Sequence, residues 1–164
     1  MPEKKTIERA HADKRAGKSP GTQAGEFVKE QIDHVREGKH GAKSTKQAIA
    51  IGLSEARRSG VGMKAPKKGA ASAATRKKAA KDTQAGQHKT QRSASTESKS
   101  KRSATSTRVL KREGTKAASH KSLSRQAHAS ASRRSAADRS AAAKKGWQTR
   151  RKAAAKASTA RHAR

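Results

Sequence analysis

The chain has 164 residues, no cysteine, and 42 Lys or Arg residues against 12 Asp or Glu residues, which gives a formal net charge of +30. The lack of cysteine excludes disulfide bonds and thiolate metal sites, and no apolar run reaches the ~18 residues that suggest a membrane-spanning helix. The large apolar side chains are concentrated in the first 63 positions, so the packed unit is expected to be much smaller than the chain.

The N-terminal segment, residues 1–21, is basic and alternates in charge, with Ile7 as its only large apolar side chain after Met1. This pattern allows a short helix over residues 4–16 but lacks the apolar stretch of a secretory signal. We therefore expect a cytoplasmic protein.

A first amphipathic helix is predicted over residues 22–37. Ser19-Pro20-Gly21 is typical of a turn, Thr22 is placed to cap the helix, and Gly38 ends it. The side chains expected to pack fall within an arc of about 140° on the helical wheel. They are Ala24, Phe27, Val28, Gln31, Ile32 and Val35.

A second helix is predicted over residues 44–59. Ser44-Thr45-Lys46-Gln47 has the S-x-x-Q form of a capping box, and Gly60-Val61 is typical of a Schellman C-terminus. Its apolar arc contains Gly52, which either permits the close approach of another backbone or is merely tolerated, at a cost of about 1 kcal/mol relative to alanine. The other members of the arc are Ala48, Ile49, Leu53 and Ala56.

The connection over residues 38–43 is short, so the two helices are expected to form an antiparallel hairpin with facing apolar arcs. Because a unit of about 40 residues seldom stands alone, we expect this head (residues 1–63) to dimerise, to recruit residues 4–16 as a third helix, or to bind another protein. The residues predicted to pack within the head or its dimer are Phe27, Val28, Ile32, Val35, Ile49, Gly52, Leu53 and Ala56.

A DNA-reading helix-turn-helix is a weaker interpretation of the same two helices. Its turn usually has about 3 to 4 residues, fewer than the connection here, and Glu55 on the second helix would meet phosphate badly. Sequence-specific reading of the major groove is therefore not favoured.

The tail, residues 64–164, contains four large apolar side chains, 29 Lys or Arg residues and four acidic residues. Burying four side chains returns roughly 2 kcal/mol each, whereas ordering costs about 1.5 kcal/mol per residue. The tail is therefore predicted to be disordered, rich in Lys, Ala, Ser and Arg, and to hold only marginal helices. The predicted fold class is a small all-α head followed by this long tail.

Basic clusters recur along the tail and are expected to contact nucleic-acid phosphates by releasing condensed counterions, without a fixed geometry. The clustered cations are Lys67, Lys68, Arg76, Lys77, Lys78, Lys101, Arg102, Lys111, Arg112, Arg133, Arg134, Lys144, Lys145, Arg150, Arg151 and Lys152.

Residues 136–157 are alanine-rich and are predicted to become helical when phosphates neutralise their charge, with Gly146 as an expected interruption. Trp147 lies in this stretch with five cations within five residues on either side. Such an indole either stacks on an unpaired base or is an incidental aromatic in a loose helix.

The strings EGKHG (37–41) and STKQAIAIGLS (44–54), together with Gly25-Glu26-Phe27-Val28-Lys29-Glu30, resemble a family of small basic bacterial proteins with a domain of unknown function. The opening residues 2–10 are similar too, so the resemblance covers about residues 1–68. It implies a bacterial origin and a boundary near Pro66, and it brings no catalytic residue. The composition of the tail is similar to linker-histone tails and bacterial histone-like proteins.

Nothing in the sequence favours catalysis, a cofactor or a small-molecule substrate. The carboxylates of the first helix are expected on its solvated face, and the serines lack an ordered His and Asp partnership. His34 and His40 flank a helix end without a third ligand, so no metal is predicted. A membrane partner is not expected either, because the tail lacks the apolar face of an interfacial helix.

The sequence therefore favours a non-enzymatic, sequence-nonspecific DNA-binding protein of histone-like, nucleoid-associated type. Two alternatives stay open. One is an RNA- or ribosome-associated basic protein, since a flexible Lys/Arg segment does not distinguish the 2′-hydroxyl. The other is a protein-interaction module whose helical head binds a partner.

Overall fold

The computed structural model describes residues 2–87 and 99–162, and only the backbone for residues 99–100, 102–103, 153 and 155–162. These described residues form seven α-helices and a 3-10 turn, with no β-strand, which confirms the all-α class. The chain divides into two compact units, residues 1–123 and 124–164. The elements are α1 (Lys4–Arg15), α2 (Pro20–Arg36), α3 (Thr45–Arg58), α4 (Ala73–Gln87), α5 (Lys99–Lys111), the 3-10 turn (Thr115–Ala118), α6 (His120–Ser132) and α7 (Ala136–His162).

Helix α2 begins two residues before its predicted start. The cap is Ser19, whose hydroxyl oxygen accepts from the backbone N–H of Thr22 at 3.3 Å, so the prediction that Thr22 caps the helix is wrong. Pro20 occupies the first helical position, where a missing N–H costs nothing and a fixed φ suits the helix. What looked like a turn is the first turn of α2.

The ends of α3 follow from local sequence signals. The Ser44 hydroxyl accepts from the Gln47 N–H at 3.3 Å, while the Gln47 side chain accepts from the N–H of Lys43 at 2.9 Å, one residue before the capping-box position. At the other end Gly60 has φ +89°, and Val61 N–H donates to the Ala56 carbonyl at 3.1 Å. This is the predicted Schellman geometry.

Helices α1, α2 and α3 share one buried cluster. Phe27 is fully buried and packs with alanines from each of the three helices: Ala10, Ala24 and Ala56. The polar side chains reinforce the contact of α1 with α2, because Arg9 Nε donates to Glu26 Oε2 at 2.8 Å. Helix α1 thus supplies the third helix that the small head was expected to need.

The residues predicted for head packing are all at least partly buried within this one chain. Phe27, Val35 and Ala56 are fully buried and Gly52 is buried, whereas Val28, Ile32, Ile49 and Leu53 are partly exposed. Dimerisation through these residues stays a prediction.

Two parts of the tail also lie against α2 and α3. Helix α4 packs on α3, with Ala79 and Asp82 buried. The segment 110–118, which we call the strap, lies beside the N-terminal end of α3. It buries Ala117 and Ala118 against Val35 and Ala48. Composition did not reveal these contacts, because the groups that they bury are alanines, backbone atoms and the Asp82 side chain, none of which is a large apolar residue. The disorder of residues 64–164 in solution without nucleic acid stays a prediction.

The second unit contains the last part of α6, from residue 124 onward, and the helix α7. Ser135 caps α7, with its hydroxyl oxygen accepting from the Asp138 N–H at 3.0 Å. The helix runs through Gly146 without a break and covers the predicted stretch 136–157, so the expected interruption is wrong. None of the described helices is long and apolar enough to span a lipid bilayer.

Candidate nucleic-acid interface

The predicted phosphate-binding cations are distributed over several elements. Lys67 and Lys68 lie between α3 and α4, Arg133 and Arg134 lie between α6 and α7, and the rest lie on or directly after α4, α5 and α7. The side chain of Arg102 lies outside the described residues. Within each unit, therefore, the cations follow the chain and do not converge on one pocket.

Almost all of these side chains face solvent. Arg76 is the partly buried exception, and its Nε atom is buried without a hydrogen-bond partner. With Lys101 left aside, no other cluster cation with a described side chain takes part in an ion pair. Their charge is available to a polyanion.

Most carboxylates of the head, by contrast, have a cation beside them. Asp13 lies 2.5 Å from Lys18 Nζ, and the predicted pair of Lys29 with Asp33 is present at 2.7 Å. Glu37 lies 2.9 Å from Lys39 Nζ. The acidic charge of the head is therefore largely balanced locally.

Helix α7 presents cations in several directions around its axis. At 3.6 residues per turn, Lys144 and Arg151 share one side, Lys145 and Lys152 share a second, and Arg150 points to a third. No apolar face interrupts them, and the described side chains are exposed. A phosphate chain can therefore approach this helix from many sides.

Trp147 is exposed on α7 with 55% of its surface accessible. The guanidinium carbon of Arg151, one turn later, lies 5.2 Å from the centre of the indole ring. This is a cation–π distance. The contact gives the indole a local partner, and both interpretations of Trp147, base stacking and incidental packing, are compatible with it.

A polar cluster that sequence reasoning missed joins the N-terminus to α2. The Glu3 N–H donates to Glu30 Oε1 at 2.8 Å, and His34 Nε2 lies 3.2 Å from Glu3 Oε1 and 3.9 Å from Glu30 Oε1. The hydrogen bond from His34 and the charge of Lys39, at 3.5 Å, lower the pKa of Glu3. The 27-residue separation left no signal in the sequence.

Within the described residues, Glu3, Glu30 and His34 bring three potential ligand atoms within 4.8 Å of one another. His34 and His40, the pair for which no metal is predicted, have their ring centres 5.9 Å apart in an edge-to-face arrangement. Lys39 Nζ already lies beside the Glu3 carboxylate, so the observed arrangement is that of a hydrogen-bonded ion-pair network that ties the N-terminus to α2.

Glu55 lies between α2 and α3. Gln31 Nε2 donates to Glu55 Oε2 at 2.8 Å, and the Gln31 oxygen lies 3.1 Å from His40 Nε2. Burial raises the pKa of Glu55. Because α2 packs against this polar face of α3, the face offers few side chains to contact base edges in a DNA groove.

Comparison with known proteins finds a family match for the head. Residues 12–69 are similar to a family of unknown function, DUF6496, and the match spans the end of α1, all of α2 and α3, and the connection that follows. No curated protein and no solved structure matches the chain. The resemblance inferred from the EGKHG and STKQAIAIGLS strings is thus confirmed as likeness to a family of unknown function over these residues.

Proposed function

We propose that this is a non-enzymatic, sequence-nonspecific DNA-binding protein of histone-like, nucleoid-associated type that acts by neutralising phosphates. One observation supports it above the others. The clustered tail cations whose side chains the structure describes are exposed, apart from the partly buried Arg76, and with Lys101 left aside they form no ion pair, whereas most head carboxylates have a local cationic partner. The positive field therefore belongs mainly to the tail.

The mechanism is counterion release. Each phosphate that a Lys or Arg neutralises frees condensed counterion from the polymer, and this entropy gain needs no fixed geometry at the contact. Cations that point in several directions from α7 suit this mode, because they do not require one docking orientation. Base edges are not read.

The head then serves to organise the tail. Its three helices, a hairpin of α2 and α3 with α1 against it, provide a folded anchor to which the polycation is attached. The cytoplasm, and within it the nucleoid, is the location that such a binding mode implies.

Gel retardation with length-matched duplex DNA and duplex RNA tests the proposal. The informative variant replaces Lys144, Lys145, Arg150, Arg151 and Lys152 with Gln, and the matched control replaces five exposed head lysines with Gln: Lys4, Lys5, Lys14, Lys43 and Lys46. Both variants have the same net charge, so a difference in affinity between them depends on where the replaced cations lie in the chain.

We expect the α7 variant to lose more affinity for DNA than the head control. Equal losses would contradict a binding role located in the tail. Tighter binding to RNA than to DNA would favour an RNA-associated protein, and retention of neither polymer would favour the protein-interaction module.

A further inference from the structure

The strap is bound to the head mainly through its own backbone. The N–H groups of Gly41 and Ala42 donate to the carbonyls of Leu110 and Gly114 at 2.9 Å and 3.2 Å. Thr45 Oγ1 donates to the carbonyl of Ala117 at 2.6 Å, and Arg36 Nε donates to the carbonyl of Ala118 at 3.0 Å. We call the donor side, Arg36, Gly41, Ala42 and Thr45, the socket.

Burial and steric fit complete this site. Ala118 is fully buried and Ala117 is 8% exposed, both in the cluster that contains Val35 and Ala48. A Cβ atom at Gly41 would overlap the backbone carbonyl of Glu113. The socket is therefore shaped for a peptide backbone with small side chains, and it recognises carbonyl oxygens that any copy of the strap presents.

Little else ties the strap to its own head. Helix α5, which leads into it, shares no extensive packing with the other described elements, and the strap's contacts are with α2, α3 and the loop between them. Transfer of the strap to another head would therefore lose few contacts beyond those that the new socket restores. This is the condition under which identical elements exchange between chains.

We propose that the socket binds the strap of a second copy of this chain, so that exchange of straps links molecules to one another. Because socket and strap belong to the same chain, the internal strap has a higher effective concentration than the strap of a second copy in dilute solution. The internal arrangement therefore dominates in dilute solution, and exchange dominates where copies are crowded. Exchange of straps does not depend on DNA binding.

Two complementary variants test the exchange without nucleic acid. Gly41→Ala places a Cβ against the Glu113 carbonyl and closes the socket but keeps a normal strap. Ala118→Glu places a charged side chain in a fully buried position and disables the strap but keeps a normal socket. In an equimolar mixture, the strap of the G41A chain cannot bind its own closed socket, and the socket of the A118E chain is not filled by its own strap. The G41A strap can therefore bind the A118E socket.

Sedimentation velocity of the mixture should show a species of about twice the 17.4 kDa chain mass, absent from either variant alone. The matched control mixes each single variant with the double variant G41A/A118E. The double variant has neither component, so no such species is expected in the two control mixtures.

Far-ultraviolet circular dichroism checks that both variants keep the helical head. If G41A loses helicity, the pair R36A/T45V replaces it, because these substitutions remove two socket donors without adding bulk, and the same heterodimer is expected. A helical pair of variants that stays monomeric when mixed would overturn the proposal, as would dimers of equal amount in the control mixtures.

Discussion

Gly52 of α3 lies directly against Val28 of α2: a Cβ atom at position 52 would stand 2.7 Å from the Val28 Cα and 2.9 Å from the Phe27 carbonyl oxygen. The helices approach this closely because hydrogen replaces a side chain at the crossing. The two explanations that the sequence left open for Gly52 are thereby resolved in favour of close backbone approach.

Gly52→Ala should destabilise the fold even though alanine is the better helix former. The intrinsic gain of about 1 kcal/mol is opposed by a backbone clash that costs about 1–3 kcal/mol and can exceed this range. Gly25→Ala is the matched control, because a Cβ at Gly25 meets nothing within 4 Å. Urea unfolding followed by circular dichroism should show G25A gaining and G52A losing stability. A stabilised G52A would show that the helices do not cross this closely.

Asp82 should hold α4 against α3. Its carboxylate accepts from Ser54 Oγ at 2.7 Å and from Arg58 Nε at 2.8 Å, and its side chain is 6% exposed. Asp82→Asn should cost about 1–2 kcal/mol, less than a fully buried pair, because Arg58 is solvent-screened.

Limited proteolysis measures the effect of Asp82→Asn on α4. Tryptic cleavage within α4 should quicken by roughly 5- to 30-fold if its opening controls the rate. Asp33→Asn removes the same charge from an i,i+4 pair on α2, where such pairs contribute about 0.2–0.5 kcal/mol, and should leave the α4 cleavage rate nearly unchanged. Equal cleavage rates for both variants would contradict the anchoring role.

Glu55 should make the fold less stable as the pH rises from acid. Burial raises its pKa above the ordinary 4.5, so in the window between these two values the folded state binds more protons than the unfolded state. Stability therefore falls as the pH rises through that window. Glu30 and His34 face the same region.

Glu55→Gln removes this dependence and keeps an oxygen that accepts from Gln31. We expect the variant to be more stable than the wild type at neutral pH, with the gain disappearing below about pH 4.5. Glu8→Gln, an exposed substitution on α1, controls for the change in net charge. A gain that persists unchanged in acid would refute the assignment to Glu55.

Trp147 should report single-stranded nucleic acid. Base stacking on an exposed indole contributes about 1–3 kcal/mol, so a single strand should quench its fluorescence more strongly than a duplex at equal occupancy. Since Trp147 is the sole tryptophan, the signal needs no label. Arg151→Gln, which removes the cation over the ring, controls for quenching that arises from the side chain itself. Equal quenching by duplex and single strand would favour the incidental aromatic.

Local signals in the sequence located α2 and α3 to within about two residues at each end. The Ser44 cap and the Gly60-Val61 terminus depend on neighbours in the chain, so their residue types are sufficient to predict them. Ser19 was missed because Pro20 suits both a turn and the first position of a helix.

The contacts between distant segments could not be predicted in this way. The Glu3, Glu30 and His34 network joins the N-terminus to α2, and no periodicity relates residues 3 and 30. The strap is held by backbone carbonyls and by Ala117 and Ala118, which are indistinguishable in composition from the alanines of the exposed tail. The Glu113 carbonyl packs closely against Gly41, and such a fit between residues far apart in the chain cannot be derived from local sequence signals.

If the exposed cations bind phosphate chains by releasing counterions, the affinity for duplex DNA depends steeply on the salt concentration. The binding constant of the full chain for duplex DNA is measured between about 50 and 200 mM salt, and the α7 variant with five Gln substitutions is measured beside it. If about ten phosphates are engaged, log K should fall against log salt with a slope near −9, and the slope should weaken by as much as about 4.5 in the α7 variant. A slope near zero, or one that the five substitutions leave unchanged, would show that these cations do not bind DNA by counterion release.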